Sequence, residues 1–176
     1  MSEIAIQSEK SSGMGTQPGS DQGGEQFLTF MLAGEEYGID ILRVQEIKGL
    51  DSVTEIPNTP DFVLGVINLR GTVIPVVDLR LRFGIEQLEY NQLTVVIVVR
   101  VNHDDKELTL GFVVDNVSDV YNIDSEKINP APDFGAQVDT SFVAGIAGVD
   151  DKMVIILDVD QVASSVNNAS REQESL

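Results

Sequence analysis

The chain has 176 residues, is 42% hydrophobic, contains no cysteine and carries a formal charge of −18. That composition can bury a core, supplies no apolar run near the roughly 18 residues of a membrane span, and excludes disulfides and thiolate metal sites. Residues 26–162 alone hold 23 acidic and 9 basic residues, a difference of −14, and a surface of that sign repels phosphate backbones and anionic lipid.

Residues 1–24 are rich in Ser, Gly and Gln and lack aromatics, so a disordered tail is expected, and they hold no basic region followed by an apolar one as a secretion signal would. Gln26–Leu32 alternates as a strand, and Gly38–Ile41 follows after a turn at Gly34-Glu35-Glu36. Asp40 is a candidate cap for a short helix through Ile47, with Ile41, Val44 and Ile47 on one face. Val63–Leu69 and Thr72–Leu79 flank Arg70-Gly71, a hairpin turn signal because Gly tolerates positive φ. Thr94–Val101 is a β-branched run that pairs with Glu107–Val114 across residues 102–106. Ile123–Gly135 reads mostly as loop, since Pro130 and Pro132 prevent ladder pairing. Phe142–Val149 and Lys152–Val159 flank Asp150-Asp151, and Asp158 is a candidate cap for a helix through Ser164. Residues 164–176 read as a polar, frayed C-terminal tail. Short, evenly spaced strands point to small barrels.

Two echoes run through this pattern. Phe62-Val63-Leu64-Gly65-Val66-Ile67 returns as Phe142-Val143-Ala144-Gly145-Ile146-Ala147, and Asp78 returns as Asp158, both at an offset of 80. Gly38, Val44 and Glu46-Ile47 return as Gly111, Val117 and Asp119-Val120 at an offset of 73. One unit used twice implies a seam between copies, where binding sites often lie. The copies occupy roughly residues 26–85 and 92–163, with exchange of strands between them left open.

Chemistry-bearing motifs are scarce. His103, the single histidine, reads as a solvated turn residue beside Asp104 and Asp105. Asp150-Asp151 reads as a turn, and Asp78 and Asp158 as caps. The chain has no phosphate-binding glycine loop after a strand and no nucleophile elbow. A carboxylate-based hydrolase would need two acidic residues with displaced pKa values in one pocket. Arg70 stands apart as a basic residue at a hairpin tip, suited either to fork onto a partner carboxylate or to pair internally with Glu46. Val44 is either core or contact, and Phe134 either a plug on a barrel or an anchor for a partner.

The segments Glu36-Tyr37-Gly38-Ile39-Asp40-Ile41, Val44-Gln45-Glu46-Ile47, Gly65-Val66-Ile67-Asn68-Leu69-Arg70-Gly71, Ile74-Pro75-Val76-Val77-Asp78-Leu79-Arg80 and Pro130-Ala131-Pro132 resemble the CheW family of bacterial chemotaxis coupling proteins. The resemblance covers residues 25–163. With no receiver domain following and no kinase catalytic segment preceding, the chain is unlike the CheV-type fusion or the kinase itself. The resemblance implies a mainly β fold of two SH3-like five-stranded barrels with short helices. It implies a non-catalytic cytoplasmic adaptor without cofactor or metal, recruited to receptor arrays, that joins chemoreceptor tips to the regulatory domain of a CheA-type histidine kinase. An adaptor of another receptor–kinase pathway, such as surface motility, would have the same features. Receptor contacts carried over by motif are Val44, Glu46, Gly65, Arg70 and Val95, in a groove between the barrels. Kinase contacts at apolar barrel ends are Val53, Val63, Val73 and, in the second half, Phe134.

Overall fold

The computed structural model describes residues 24–131 and 139–174. The expected N-terminal tail therefore falls almost wholly outside the described residues. Eleven strands run in chain order among the described residues: β1 Gly24–Leu32, β2 Glu35–Asp40, β3 Val44–Gly49, β4 Val63–Leu69, β5 Thr72–Asp78, β6 Val95–His103, β7 Lys106–Val114, β8 Asn116–Asp124, β9 Ile128–Asn129, β10 Val143–Val149 and β11 Lys152–Leu157. A short helix α1 spans Leu79–Arg82, and α2 spans Val159–Glu174. Asp78 caps α1 by accepting from the Arg80 and Leu81 N–H groups, and Asp158 accepts from those of Asp160 and Gln161, as the sequence suggests. The second helix runs well past Ser164, so the expected frayed tail is helical through Glu174. Its burial explains why: Val159, Val162, Ala163 and Val166 recur at helical spacing and are all buried.

Four hairpins turn on two residues each: Ala33-Gly34, Arg70-Gly71, Asp104-Asp105 and Asp150-Asp151, all at positive φ. Paired left-handed residues match the right-handed twist of the flanking strands. The β6–β7 and β1–β2 turns are thus tighter than the sequence alone suggests.

The strands form two sheets, ordered β3-β6-β7-β5-β4 and β8-β1-β2-β11-β10-β9. Neither sheet coincides with residues 26–85 or 92–163. Each half of the chain sends its first hairpin into the other half's sheet: β1–β2 joins β8–β11, and β6–β7 joins β3–β5. The exchanged hairpins dock by parallel pairing, Val77 opposite Phe112 and Ile155 opposite Tyr37. The fold is mainly β, in two barrel-like halves as expected, with the two-residue β9 as a sixth strand in the second. Its counterpart in the first is the isolated Thr54–Val66 bridge.

Gly65 and Gly145 make these closures possible. A Cβ on Gly65 would collide with the Thr54 carbonyl oxygen, and one on Gly145 would collide with Ile128 and stand 2.8 Å from the Asn129 oxygen. Backbone cannot retreat from such an overlap as a flexible side chain can, so Gly65→Ala and Gly145→Ala are each expected to lower stability by about 2–3 kcal/mol. Urea-unfolding midpoints check this, and midpoints unchanged from wild type would refute the closure role.

The described residues form three apolar clusters. Ile67, Leu69, Ile74, Val76, Val96, Val98 and Val113 fill the first barrel; Phe27, Ile123, Ala147, Val154 and Ile156 fill the second. The third and largest lies between the barrels and draws on both sheets and α2, through Phe30, Tyr37, Ile97, Phe112, Phe142 and Val162 among others. The strands of the seam carry apolar residues on both faces because both are buried, one in a barrel and one against the other barrel. The repeat-equivalent rings of Phe62 and Phe142 each take the Arg82 guanidinium at 5.1 Å from the centroid, and Arg82 Nε donates to Ser165 Oγ at 2.9 Å.

Two ion pairs lock the barrels further. Arg80 Nε and Nη2 fork onto Asp115 at 2.8 and 2.6 Å, and Asp115 also accepts from the Ala33 N–H of the exchanged hairpin. Arg43 forks onto Asp160 at 2.8 and 2.9 Å, and Asp160 accepts from the Asn102 N–H. Residues 80 and 160 are equivalent in the repeat. The clamps thus share one equivalent position, where Arg80 gives way to Asp160, while Arg43 falls on Asn116 at the offset of 73, one residue from Asp115.

Candidate functional site

Asp40 caps a 3-10 turn at Ile41–Arg43 and not a helix through Ile47; Val44–Gly49 is strand β3, at the edge of the first sheet. Its pairing with β6 carries a bulge between Val44, opposite Val99, and Glu46, opposite Val98. The extra residue, Gln45, changes which face the strand presents. Val44 packs on the core between the barrels, and Ile47 pairs with Ile97 of that same core. Glu46 and Lys48 pair with Val98 and Val96, whose side chains belong to the interior of the first barrel.

Arg70 reaches Glu46 from the tip of the β4–β5 hairpin. Its Nη1 lies 2.9 Å from Glu46 Oε2, and Lys48 Nζ lies 3.9 Å from Oε1. The Arg70 contact lacks hydrogen-bond alignment, so Oε2, itself shielded from solvent, has Coulombic but not hydrogen-bonded satisfaction. The Arg70 side chain is 71% exposed. An ion pair that exposed contributes less than about 1 kcal/mol, so it leaves Arg70 available to a second carboxylate. The internal pairing with Glu46 is therefore observed, and the exposed guanidinium keeps donors free of it. Arg70 also sits at φ 52°, left-handed backbone that a side chain of this kind seldom adopts.

The five residues named for one surface have different settings. Glu46 and Arg70 touch. Val44 and Val95 both pack against the core between the barrels, and Ile47, 44% exposed, lies between them on the same face of the sheet. Gly65 is buried beneath Thr54 and offers a shape and not a side chain. The seam itself is filled by the chain's own core, and Val44, Ile47 and the Glu46–Arg70 pair form a partly exposed rim beside it. Sequence reading missed Ile47 by placing it on a helix facing the core.

The residues named for the second surface are further apart. Val53 packs on the cluster inside the first barrel and Val63 on the core between the barrels. Val73 is 63% exposed, at the far end of the hairpin from Val63, which pairs with Val77. Four residues along β5 separate Val73 from the position opposite Val63, about 13 Å, so these three valines do not form one patch. Phe134 lies outside the described residues. Met153, the repeat equivalent of Val73, is 64% exposed, a correspondence legible from the offset of 80.

His103 is not a solvated turn residue. Its side chain packs against α2, with Nδ1 3.1 Å from Ser164 Oγ and Nε2 3.2 Å from Asp104. The carboxylates displaced from their usual range are displaced downward. The Arg43 hydrogen bond pulls Asp160 down against the effect of burial; burial pushes Asp115 up, but Arg80 and the Ala33 N–H outweigh it; and the Ser141 N–H lowers exposed Asp139. These are held as anions, which is the opposite of a general acid poised near neutrality. Among the described residues no group of three or more His, Cys, Asp and Glu could hold a metal ion, and no helix is long and apolar enough to cross a membrane.

Against known proteins, residues 26–167 match the CheW-like domain family. The chain belongs to that family. Chemotaxis protein CheW of Klebsiella aerogenes is 46% identical over 142 residues, covering 81% of this chain and 83% of that protein. The Rhizobium meliloti protein of the same name is 35% identical, over 81% and 90% of the two chains. Among solved structures, the scaffolding protein TtCheW from Thermoanaerobacter tengcongensis superposes with a TM-score of 0.71 at 41% identity, covering 79% of this chain and 92% of that one. The CheW-like match begins within β1 and ends within α2, so it takes in the turns of both exchanged hairpins and nearly all of their strands.

Proposed function

We propose that this chain is a chemotaxis coupling adaptor that holds a chemoreceptor tip and a CheA-type histidine kinase on separate surfaces without catalysing a reaction. Membership of the CheW-like family supports the adaptor role. The observation that carries the receptor assignment is the Glu46–Arg70 pair: an exposed guanidinium beside a carboxylate oxygen without a hydrogen bond, flanked by Val44 and Ile47. A receptor tip is a helical hairpin. A helix laid along the rim would cover the apolar pair and offer donors and acceptors to Glu46 and Arg70. Exposed Val73 is the strongest of the kinase candidates, because Val53 and Val63 are engaged with the chain's own clusters. In this reading Gly65 shapes the rim by closing the barrel, and the adaptor works in the cytoplasm at receptor arrays.

The physical role is geometric. Two partners on one rigid body raise each other's local concentration, and the shared core and clamps keep the two surfaces in fixed relation. Reconstitution tests the reading directly. Adding the protein to receptor fragment and kinase is expected to raise receptor-dependent autophosphorylation at least about tenfold over the two-component mixture, and no increase at saturating protein would dismiss the adaptor role. Phe134→Ala is expected to weaken extended arrays more than binary receptor binding, since Phe134 is remote in sequence from the rim residues. Equal losses in cryo-tomography and in pull-down would count against assigning Phe134 to assembly.

A further inference from the structure

Arg82 differs from the other described arginines in what its terminal nitrogens reach. Arg43, Arg80 and Arg100 each donate from a terminal nitrogen to a carboxylate or carbonyl oxygen, and Arg70 sets one 2.9 Å from Glu46. Arg82 uses Nε on Ser165 Oγ, which itself donates to the Val162 carbonyl. Its two terminal nitrogens have no acceptor among the described residues, in a chain with 29 acidic residues. Asp139, whose charge acts on Arg82, forms no ion pair with it and instead accepts from the Ser141 N–H.

Two rings hold the guanidinium in place. Its carbon lies 5.1 Å from the centroids of both Phe62 and Phe142, and a guanidinium held over ring faces is left with its in-plane edge for hydrogen bonds. The rings are themselves anchored. The Asp78 and Asp158 N–H groups donate to the Phe62 and Phe142 carbonyls at 2.7 and 2.8 Å, and Phe142 stacks on Phe83 with centroids 5.5 Å apart. Burial pushes the Arg82 guanidinium down from its ordinary value, and the Asp139 charge offsets this only in part. A partly desolvated cation without a contacting anion is an arrangement that a carboxylate would relieve. The notch is distinct from the rim, because Phe62 adjoins the end of β4 remote from Arg70, more than about 20 Å along the strand.

We propose that Arg82 is a carboxylate-binding site, and that its occupant is a Glu or Asp side chain of a partner protein, set beside an apolar residue that covers half-buried Phe62. The planar fork matches a carboxylate in two parallel hydrogen bonds. Magnitude decides the source of the carboxylate. A pair left open to water gains at most about fivefold in affinity, too little to hold a free small anion against a charge of −18. A carboxylate carried on a protein surface excludes water from the pair and adds apolar burial at Phe62. Arg82 acts independently of Arg70 in this role.

The test titrates the nitrogen-15-labelled full chain with acetyl-Leu-Glu-Leu-amide and with the same peptide carrying Gln for Glu. The overall negative charge by itself favours the Gln peptide. The proposal expects the Glu peptide to bind about tenfold more tightly, with shifts centred on Arg82 Nε, Phe62 and Phe142. Arg82→Gln removes that preference, and Arg82→Lys, which keeps the charge but not the fork, retains only part of it. If loss of the ring contacts unfolds both variants, Asp139→Asn decides. It keeps the cap at Ser141 and removes a competing charge, so the Glu peptide should tighten about twofold while the Gln peptide is unchanged. Equal binding of the two peptides to wild type overturns the proposal, as does a preference that survives Arg82→Gln or an Asp139→Asn variant that binds the Glu peptide no better. Sodium acetate shifting Arg82 Nε at the same concentrations as the Glu peptide would overturn the assignment to a protein-borne carboxylate.

Discussion

Arg70→Asn is expected to weaken binding of a chemoreceptor tip fragment by about ten- to a hundredfold, while leaving the protein at least as stable as before. The first number follows from losing a charge-assisted hydrogen bond, worth about 1.5–3 kcal/mol. The second follows from the backbone: position 70 is left-handed, and Asn tolerates that region far better than Arg. The exposed Glu46–Arg70 pair holds too little energy for its removal to unfold the barrel. Asn is therefore a better probe than Ala, because it separates loss of the guanidinium from strain in the turn. Val44→Asp should act in the same direction by placing a charge in the apolar part of the rim. Calorimetric titration beside thermal melts checks both. Undiminished receptor affinity in folded Arg70→Asn would remove Arg70 from the contact.

The second large effect is on stability. Arg80 is buried, and Arg80→Ala leaves Asp115 at the seam with only the Ala33 N–H as partner. The pair is shielded on the Arg80 side only, 8% exposed against 32% for Asp115, so breaking it is expected to cost about 2 kcal/mol. The matching clamp is more open, with both side chains near 30% exposed, so Arg43→Ala is expected to cost nearer about 1 kcal/mol. Chemical unfolding of the two variants measures the difference. Equal losses would show that burial does not set the strength of the clamps.

These clamps also fix the acid limb of stability. Asp115 and Asp160 are held below their usual carboxylate range when folded. Their contribution is present above an unfolded pKa of about 3.9, and it is lost as pH falls from there through the lower folded values. Relief of acidic repulsion works the other way between neutrality and about pH 5. Stability should therefore rise slightly on mild acidification and fall below about pH 4. The fall should be shallower in Asp160→Asn, and an acid limb identical to wild type in that variant would contradict the clamp.

Particular residues explain what could be read from the sequence. The caps at Asp78 and Asp158, the turns at Arg70-Gly71 and Asp150-Asp151, and both repeat offsets depend on local chemistry, and all were legible. The pairing of the exchanged hairpins was not. An offset shows that β1–β2 and β6–β7 are equivalent, but says nothing of whether each pairs within its own half or with the other. The parallel contacts that decide it, Tyr37 with Ile155 and Phe112 with Val77, join residues distant in sequence. The helix expected at residues 41–47 fails for a definite reason. The bulge at Gln45 adds one residue to a strand, so Val44 and Ile47 reach one face at a spacing of three, which imitates a helical period. The same bulge hid Ile47 from the candidate site. His103 was misjudged because nothing within its own loop indicates that α2 packs against it.

In the proposed role, one rigid body holds two partners on separable surfaces. A pull-down from a defined mixture of the full chain, a chemoreceptor cytoplasmic fragment and a CheA-type kinase tests it most directly. Wild type should retain both partners, and Arg70→Asn should lose the receptor fragment while keeping the kinase. Loss of both partners together, or retention of both, would contradict the account.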